Sequence, residues 1–288
     1  MKEPLFTGVC TAMVTPFENG KINFVMMEQL LQRQIDAGIK AVVIAGTTGE
    51  SSTLSDEEKR MLFKYCKEYV KDQCMIIAGT GSNNTAHSVE LSIGAEKQGA
   101  DALLIVSPYY NKATADGIYL HYRTICEAVS IPVIIYNVPG RTGLDIPVPV
   151  YQRLSQIPNI AGVKEASSDI TKIVRIRNAC GNDLPIWSGN DDQIVPVMAL
   201  GGMGVISVLS NIKPELTAGM CNAALDGDFD TASALQCQML PLVEALFSEV
   251  NPIPVKAAMR EIGFDCGIGR PPLCEIGMQT LERLRKYL

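Results

Sequence analysis

The sequence is poor in histidine: among 288 residues only His87 and His121 are present. A three-histidine metal site is therefore impossible, and any Ser-His-Asp or Cys-His nucleophile would have to recruit one of these two. Both lie in polar helical stretches, TAHSVEL and IYLHYRT, and read as ordinary helix residues rather than catalysts. Cationic excess is also missing. With 25 Lys and Arg against 31 Asp and Glu, the net charge is −6, which gives no electrostatic reason to bind nucleic acid or an anionic membrane. No apolar run approaches the ~18 residues of a membrane span. The amino-terminal MKEPLFTGVC has no signal-peptide core, so a cytoplasmic chain is expected. None of the nine cysteines pairs at C-x-x-C spacing, which argues against zinc or dithiol chemistry. Their odd number and mostly apolar neighbours read as buried free thiols. G-x-G-x-x-G and G-x-x-x-x-G-K-[ST] are absent too; Gly79-x-Gly81 stops short because Asn84 stands in the third glycine's place.

What is present is alternation. Nearly half the residues are apolar (47%), and the length allows a large core without staples. Eight strand candidates begin at Gly8, Ala41, Met75, Ala100, Pro132, Ile160, Pro185 and Gly204, most of them near-continuous apolar runs of the kind found in parallel sheets covered on both faces. They recur at roughly thirty residues or less, the length of a βα unit, with helix-length amphipathic segments between. Ser55-x-x-Glu58 reads as a capping box, Thr85 and Asp169 as caps, and Gly38, Gly99 and Gly181 as helix stops. Eight such units predict a closed (β/α)8 barrel, an α/β fold, over residues 1–225. Asp226-Gly227-Asp228 then breaks the pattern, and residues 226–288 predict a small helical domain.

In such barrels chemistry sits at the carboxyl ends of the strands. Those ends carry Thr47-Thr48-Gly49-Glu50, Tyr109-Tyr110, Tyr136-Asn137 followed by Arg141, Lys164-Glu165, and Ser188-Gly189-Asn190-Asp191-Asp192. Lys164 interrupts an apolar strand. Period-2 alternation puts it on one face with Ile160, Gly162 and Ala166. If that face points inward, burial disfavours the ammonium, and the neutral amine can form a Schiff base with a carbonyl. The competing reading is a Lys–Glu ion pair at the strand mouth. With histidine scarce, Tyr136, Tyr110 and Thr47 are the groups available to relay protons, although each alone could equally be a rim hydroxyl. Thr47 and Thr48 can donate to a carboxylate, and Arg141 offers a fork for a second one, or is simply a solvated surface arginine. Phosphate sites in these barrels follow strands 7 and 8. Here Asp191-Asp192 would repel phosphate, so a carboxylate-bearing, phosphate-free substrate is expected.

Taken in order, TAMVTPF, GTTGESSTL, AGTGSNNT, SPYYNK, YNVPGRTG, GVKEAS and SGND resemble the dihydrodipicolinate synthase / N-acetylneuraminate lyase family of class I aldolases over the whole chain. The resemblance implies a Schiff base between Lys164 and pyruvate. It implies a relay of Tyr136, Thr47 and Tyr110, with Tyr110 supplied by a neighbouring subunit. Thr47 and Thr48 would hold the pyruvate carboxylate, Arg141 the carboxylate of L-aspartate 4-semialdehyde, and Gly189 and the Ile206 carbonyl would lie beside the reacting centre. It implies no metal or organic cofactor, and a homotetramer built as a dimer of dimers. Alternatives within the family are 2-keto-3-deoxy-acid and N-acetylneuraminate aldolases; outside enzymology, a catalytically silent keto-acid binder. Feedback-inhibited members hold lysine at positions matching Ser51, Ser52, Asp56, Lys59, Asn83, His87 and Tyr109. Here Asp56 and Lys59 replace histidines and His87 replaces a glutamate, so weak or absent lysine inhibition is expected.

Overall fold

The computed structural model describes residues 2–288. Eight parallel strands close on themselves: β1 (Gly8–Ala12), β4 (Ala41–Ile44), β5 (Met75–Gly79), β6 (Ala102–Val106), β7 (Val133–Asn137), β8 (Ile160–Glu165), β9 (Ile186–Ser188) and β10 (Gly204–Ser207). β1 bridges β10 and β4 to complete the ring. This is the (β/α)8 architecture read from the sequence. The helices between are α1 (Phe24–Asp36), α2 (Asp56–Val70), α3 (Thr85–Lys97), α4 (Ala115–Ala128), α5 (Pro139–Thr142), α6 (Val148–Leu154), α7 (Ile170–Cys180), α8 (Ile194–Ala199) and α9 (Pro214–Leu225). Three more follow: α10 (Phe229–Leu246), α11 (Ile253–Glu261) and α12 (Met278–Arg285). No helix among the described residues is long and apolar enough to cross a membrane.

The strands read as unbroken apolar runs because both faces are covered. Alternate residues serve two cores: Ala41 and Val43 point into the barrel, Val42 and Ile44 toward the helices. The inner core is mostly small or medium in size, with Cys10, Ala12, Ile77, Ala102, Leu104 and Ile134. Phe6, just before β1, stacks on Trp187 at 4.8 Å and fills the amino-terminal end. The opposite end is thereby left for polar groups.

Most local expectations hold. Ser55 and Glu58 form the reciprocal capping box, and Gly38, Gly99 and Gly181 adopt positive φ at helix ends. Three differ. Asn84, not Thr85, caps α3, because its carboxamide oxygen reaches the amides of Ala86 and His87. Asp169 occupies the cap position of α7 without a side-chain cap bond. A hairpin, β2 (Phe17–Glu18) with β3 (Lys21–Ile22), turns through Asn19 and Gly20, both with left-handed φ. The cysteines are all free, but Cys237 and Cys274 are exposed rather than buried. Cys237 lies on α10 beyond the barrel and Cys274 in the segment before α12, where neither core covers them. Burial pushes the thiols of Cys74, Cys126, Cys221 and Cys266 up to about 12, which leaves them unreactive at neutral pH.

His121 is a buried structural residue. Its Nδ1 meets Thr85 Oγ1 at 2.9 Å and its Nε2 has no partner. Burial lowers its pKa from 6.5 to about 4. Between those values the unfolded chain binds a proton that the folded chain refuses. Stability from this group is therefore complete above about pH 6.5 and falls toward pH 4, by up to ~3 kcal/mol. Thermal melts from pH 7 to 4 should show a shallower decline for His121→Gln than for the parent chain; parallel curves would refute this assignment.

Candidate active site

At the carboxyl end of the barrel, the turn after β4 is held in an unusual shape. Ala45 and Glu50 both have left-handed φ, 53° and 59°, which non-glycine residues rarely adopt without outside support. The support is visible. Thr15 Oγ1 donates to the Gly49 carbonyl at 2.7 Å. The buried Glu50 carboxylate meets Lys256 Nζ at 2.6 Å and accepts the Arg270 amide at 2.8 Å. On the adjacent strand a Cβ at Gly79 would lie 2.3 Å from the Ala45 carbonyl oxygen, so only glycine lets β5 approach this turn. The turn presents Thr47 and Thr48.

β7 and β8 align Tyr136 with Lys164 and Asn137 with Glu165. Lys164 in turn aligns with Trp187 of β9. Tyr136 and Trp187 belong to the inner core, so Lys164 points inward; it is 5% exposed. Its Nζ lies over the Tyr136 ring, 4.4 Å from the centroid, with no carboxylate within ion-pair distance among the described residues. The Lys–Glu pair is not formed, because Glu165 points the other way. That carboxylate accepts from Asn137 Nδ2 and Tyr151 Oη, both at 2.8 Å, and from the Ser167 amide at 2.9 Å. The expected shared face needs one correction: Ile160 lies in the outer core. A register shift opposite Val133 and Ile134 breaks the alternation at Ala161, while Ala161 and Ala166 pack on the inner core. Gly189 makes room for the lysine, since a Cβ there would sit 3.1 Å from Lys164 Cε and 2.6 Å from the Ala166 methyl.

Thr47, Tyr136, Val138 and Arg141 line a cavity of about 390 Å³ at this mouth. Thr48 is buried beside it and accepts from Asn251 Nδ2 at 3.0 Å. Arg141 is exposed at the rim, where Nη2 donates to the Asn251 carbonyl at 3.2 Å. Ile206 is buried on the inner face of β10. Tyr110 is the residue not brought in: it is 90% exposed, with a left-handed φ of 69°. The same cavity runs outward between α2 and α3, past Ser51, Ser52, Asp56, Lys59, His87 and Tyr109. There His87 Nε2 pairs with Asp56 at 2.9 Å. Lys59 is buried, and desolvation lowers its pKa against the opposing pull of Asp56. Asn83 stands aside from the lining; its carbonyl accepts from Asn111.

Two features go beyond the sequence reading: the burial and partners of Asp191, and the arrival of Asn251. Asp191 is fully buried, with Oδ2 accepting the Val208 and Leu209 amides at 2.9 Å. Burial raises its pKa, and hydrogen bonds from Ser207, Leu209 and Val208 and the nearby Lys164 charge oppose the rise. Asn251 arrives from the helical tail. A polar residue after an apolar strand is weak warning of the first; nothing local in NPIPVK announces the second.

An amine buried without an acid partner, over the ring of a tyrosine that lines one cavity with Thr47 and Arg141, is equipped for imine chemistry on a keto acid. Comparison with known proteins agrees on lineage. The family model described as the dihydrodipicolinate synthetase family matches residues 5–288. The chain belongs to the dihydrodipicolinate synthetase family. Among its relatives within the family, the 4-hydroxy-tetrahydrodipicolinate synthase of Acetivibrio thermocellus is 46% identical over 288 residues, covering 100% of this chain and 98% of that protein. The dihydrodipicolinate synthase of Thermotoga maritima superposes with a TM-score of 0.96 at 39% identity, covering 98% of this chain and 97% of that one. The chloride-inhibited dihydrodipicolinate synthase of Acinetobacter baumannii, solved with pyruvate, superposes at 0.95 with 40% identity and 98% and 97% coverage.

Proposed function

We propose that this family member condenses pyruvate with L-aspartate 4-semialdehyde to give 4-hydroxy-tetrahydrodipicolinate, the entry to diaminopimelate and lysine synthesis. The observation that carries the reading is the inward, unpaired Lys164 against the Tyr136 ring. Its Nζ attacks the keto carbon of pyruvate, and loss of water gives the imine. Removal of a methyl proton gives the enamine, whose carbon attacks the aldehyde. The amine of the semialdehyde then closes the ring and expels Lys164. Thr47 and Thr48 hold the pyruvate carboxylate beside Gly189 and the Ile206 carbonyl, and Arg141 holds the carboxylate of the aldehyde. Tyr136, Thr47 and Tyr110 pass the protons. The exposed Tyr110 supports a second copy of the chain completing the relay, in a homotetramer built from dimers; residues 226–288 act as a helical unit seated on the barrel.

Separate assays of pyruvate with aspartate semialdehyde, with N-acetylmannosamine and with glyceraldehyde test the substrate. Turnover is expected with the first; turnover with a sugar aldehyde in its place would overturn the reading. Regulation follows from the outer part of the cavity. An ammonium ligand would meet the Lys59 cation and find the Asp56 carboxylate already paired with His87. Sub-millimolar L-lysine should leave the initial rate unchanged, and half-inhibition in that range would contradict this account.

A further inference from the structure

Thr48 and Arg141 come from different strand ends, yet one residue touches both. Asn251, in the connection from α10 to α11, is 5% exposed. Its Nδ2 donates to Thr48 Oγ1 at 3.0 Å, and its main-chain carbonyl accepts from Arg141 Nη2 at 3.2 Å. Its Oδ1 is buried with no partner among the described residues.

Hydrogen-bond accounting gives this arrangement a consequence. A threonine hydroxyl has one proton to donate and lone pairs with which to accept. An amide donating into Thr48 Oγ1 occupies a lone pair and turns the hydroxyl proton elsewhere. No protein acceptor for that proton is present among the described residues, so it is left for a ligand. The reversed amide would have Oδ1 take the Thr48 proton and would strand an NH2 group, with two donors, at the unpartnered position. That costs more than stranding one carbonyl oxygen.

We propose that Asn251 is a positioning residue that fixes the Thr48 hydroxyl as a donor to the keto-acid carboxylate. The segment after the barrel thereby sets affinity for the first substrate. The inference rests on the reading that Thr48 meets that carboxylate. It also separates the two substrates. Only the Asn251 side chain bears on Thr48, whereas Arg141 is held by a main-chain carbonyl that side-chain replacement leaves in place.

The test uses the full-length protein carrying Asn251→Ala or Asn251→Asp, each with and without Thr48→Val. The readouts are KM for each substrate and the pyruvate concentration that half-saturates the borohydride-trapped adduct, measured by intact mass. Asn251→Ala should raise the pyruvate half-saturation by ~10-fold, with kcat and the aldehyde KM moving less than ~3-fold. Asn251→Asp, able only to accept, draws the Thr48 proton away and adds like charge; its half-saturation should rise by ~30-fold or more. In the Thr48→Val background neither replacement should add more than ~2-fold. Equal effects with and without the Thr48 hydroxyl, a loss confined to kcat, or unchanged half-saturation in both variants would overturn the inference. Failure of the parent chain to form any adduct would instead overturn the proposed function.

Discussion

Lys164→Met should abolish turnover, with kcat falling by at least ~10⁴-fold, while the barrel remains folded. Lys164 makes no ion pair or hydrogen bond that holds the structure together among the described residues. It sits on the inner face between Tyr136 and Trp187, where methionine matches its length and apolar stem. Lys164→Arg should be as inactive. A guanidinium keeps the positive charge but cannot deprotonate to a nucleophile at working pH. The pair of variants therefore separates a covalent role from an electrostatic one. Arg activity near that of the parent chain would mean that the charge alone is used. Melting temperatures within a few degrees of the parent would show that the loss is chemical.

The second large effect is on stability. Lys256 and Glu50 form an ion pair whose side chains are 3% and 0% exposed, at 2.6 Å. Phe17 receives two cations, with Lys256 Nζ 4.3 Å and the Arg270 guanidinium 4.4 Å from its ring centroid. Lys256→Met leaves the Glu50 carboxylate buried without its countercharge, at a cost of ~3–5 kcal/mol. In a chain of this size the melting temperature should fall by ~5–8 °C. Glu50→Gln combined with Lys256→Met removes both charges and should recover part of the loss. Activity should suffer as well, since Glu50 closes the turn that presents Thr47 and Thr48. A single variant melting within 2 °C of the parent would show that the clamp contributes little.

Some of this architecture is legible in the sequence for physical reasons. Parallel strands covered on both faces leave long apolar runs, so all eight could be placed from the runs at Ala41, Met75, Pro132 and their counterparts. A lysine inside such a run is conspicuous, and Lys164 is buried as the alternation implies. Alternation fails one turn of the pleat earlier because a bulge inserts a residue, and no residue type near Ile160 marks it. The β2–β3 hairpin carried its Asn19-Gly20 signal, but strands of two residues are too short to show a period. Asn251 with Thr48, and Lys256 with Glu50, are contacts between residues about 200 positions apart. Only the closed barrel, which brings its carboxyl-terminal rim against the helical tail, makes them neighbours. Tyr110 stands out at a strand mouth, but its supply to a neighbouring subunit is read from resemblance alone; in the single chain it faces outward.

The measurement closest to the central claim is reductive trapping. The protein is incubated with pyruvate, reduced with borohydride, digested and mapped by mass spectrometry. The account predicts one pyruvate-derived adduct per chain, on the peptide containing Lys164. Trapping on no residue, or on another buried lysine such as Lys59 or Lys256, would contradict it.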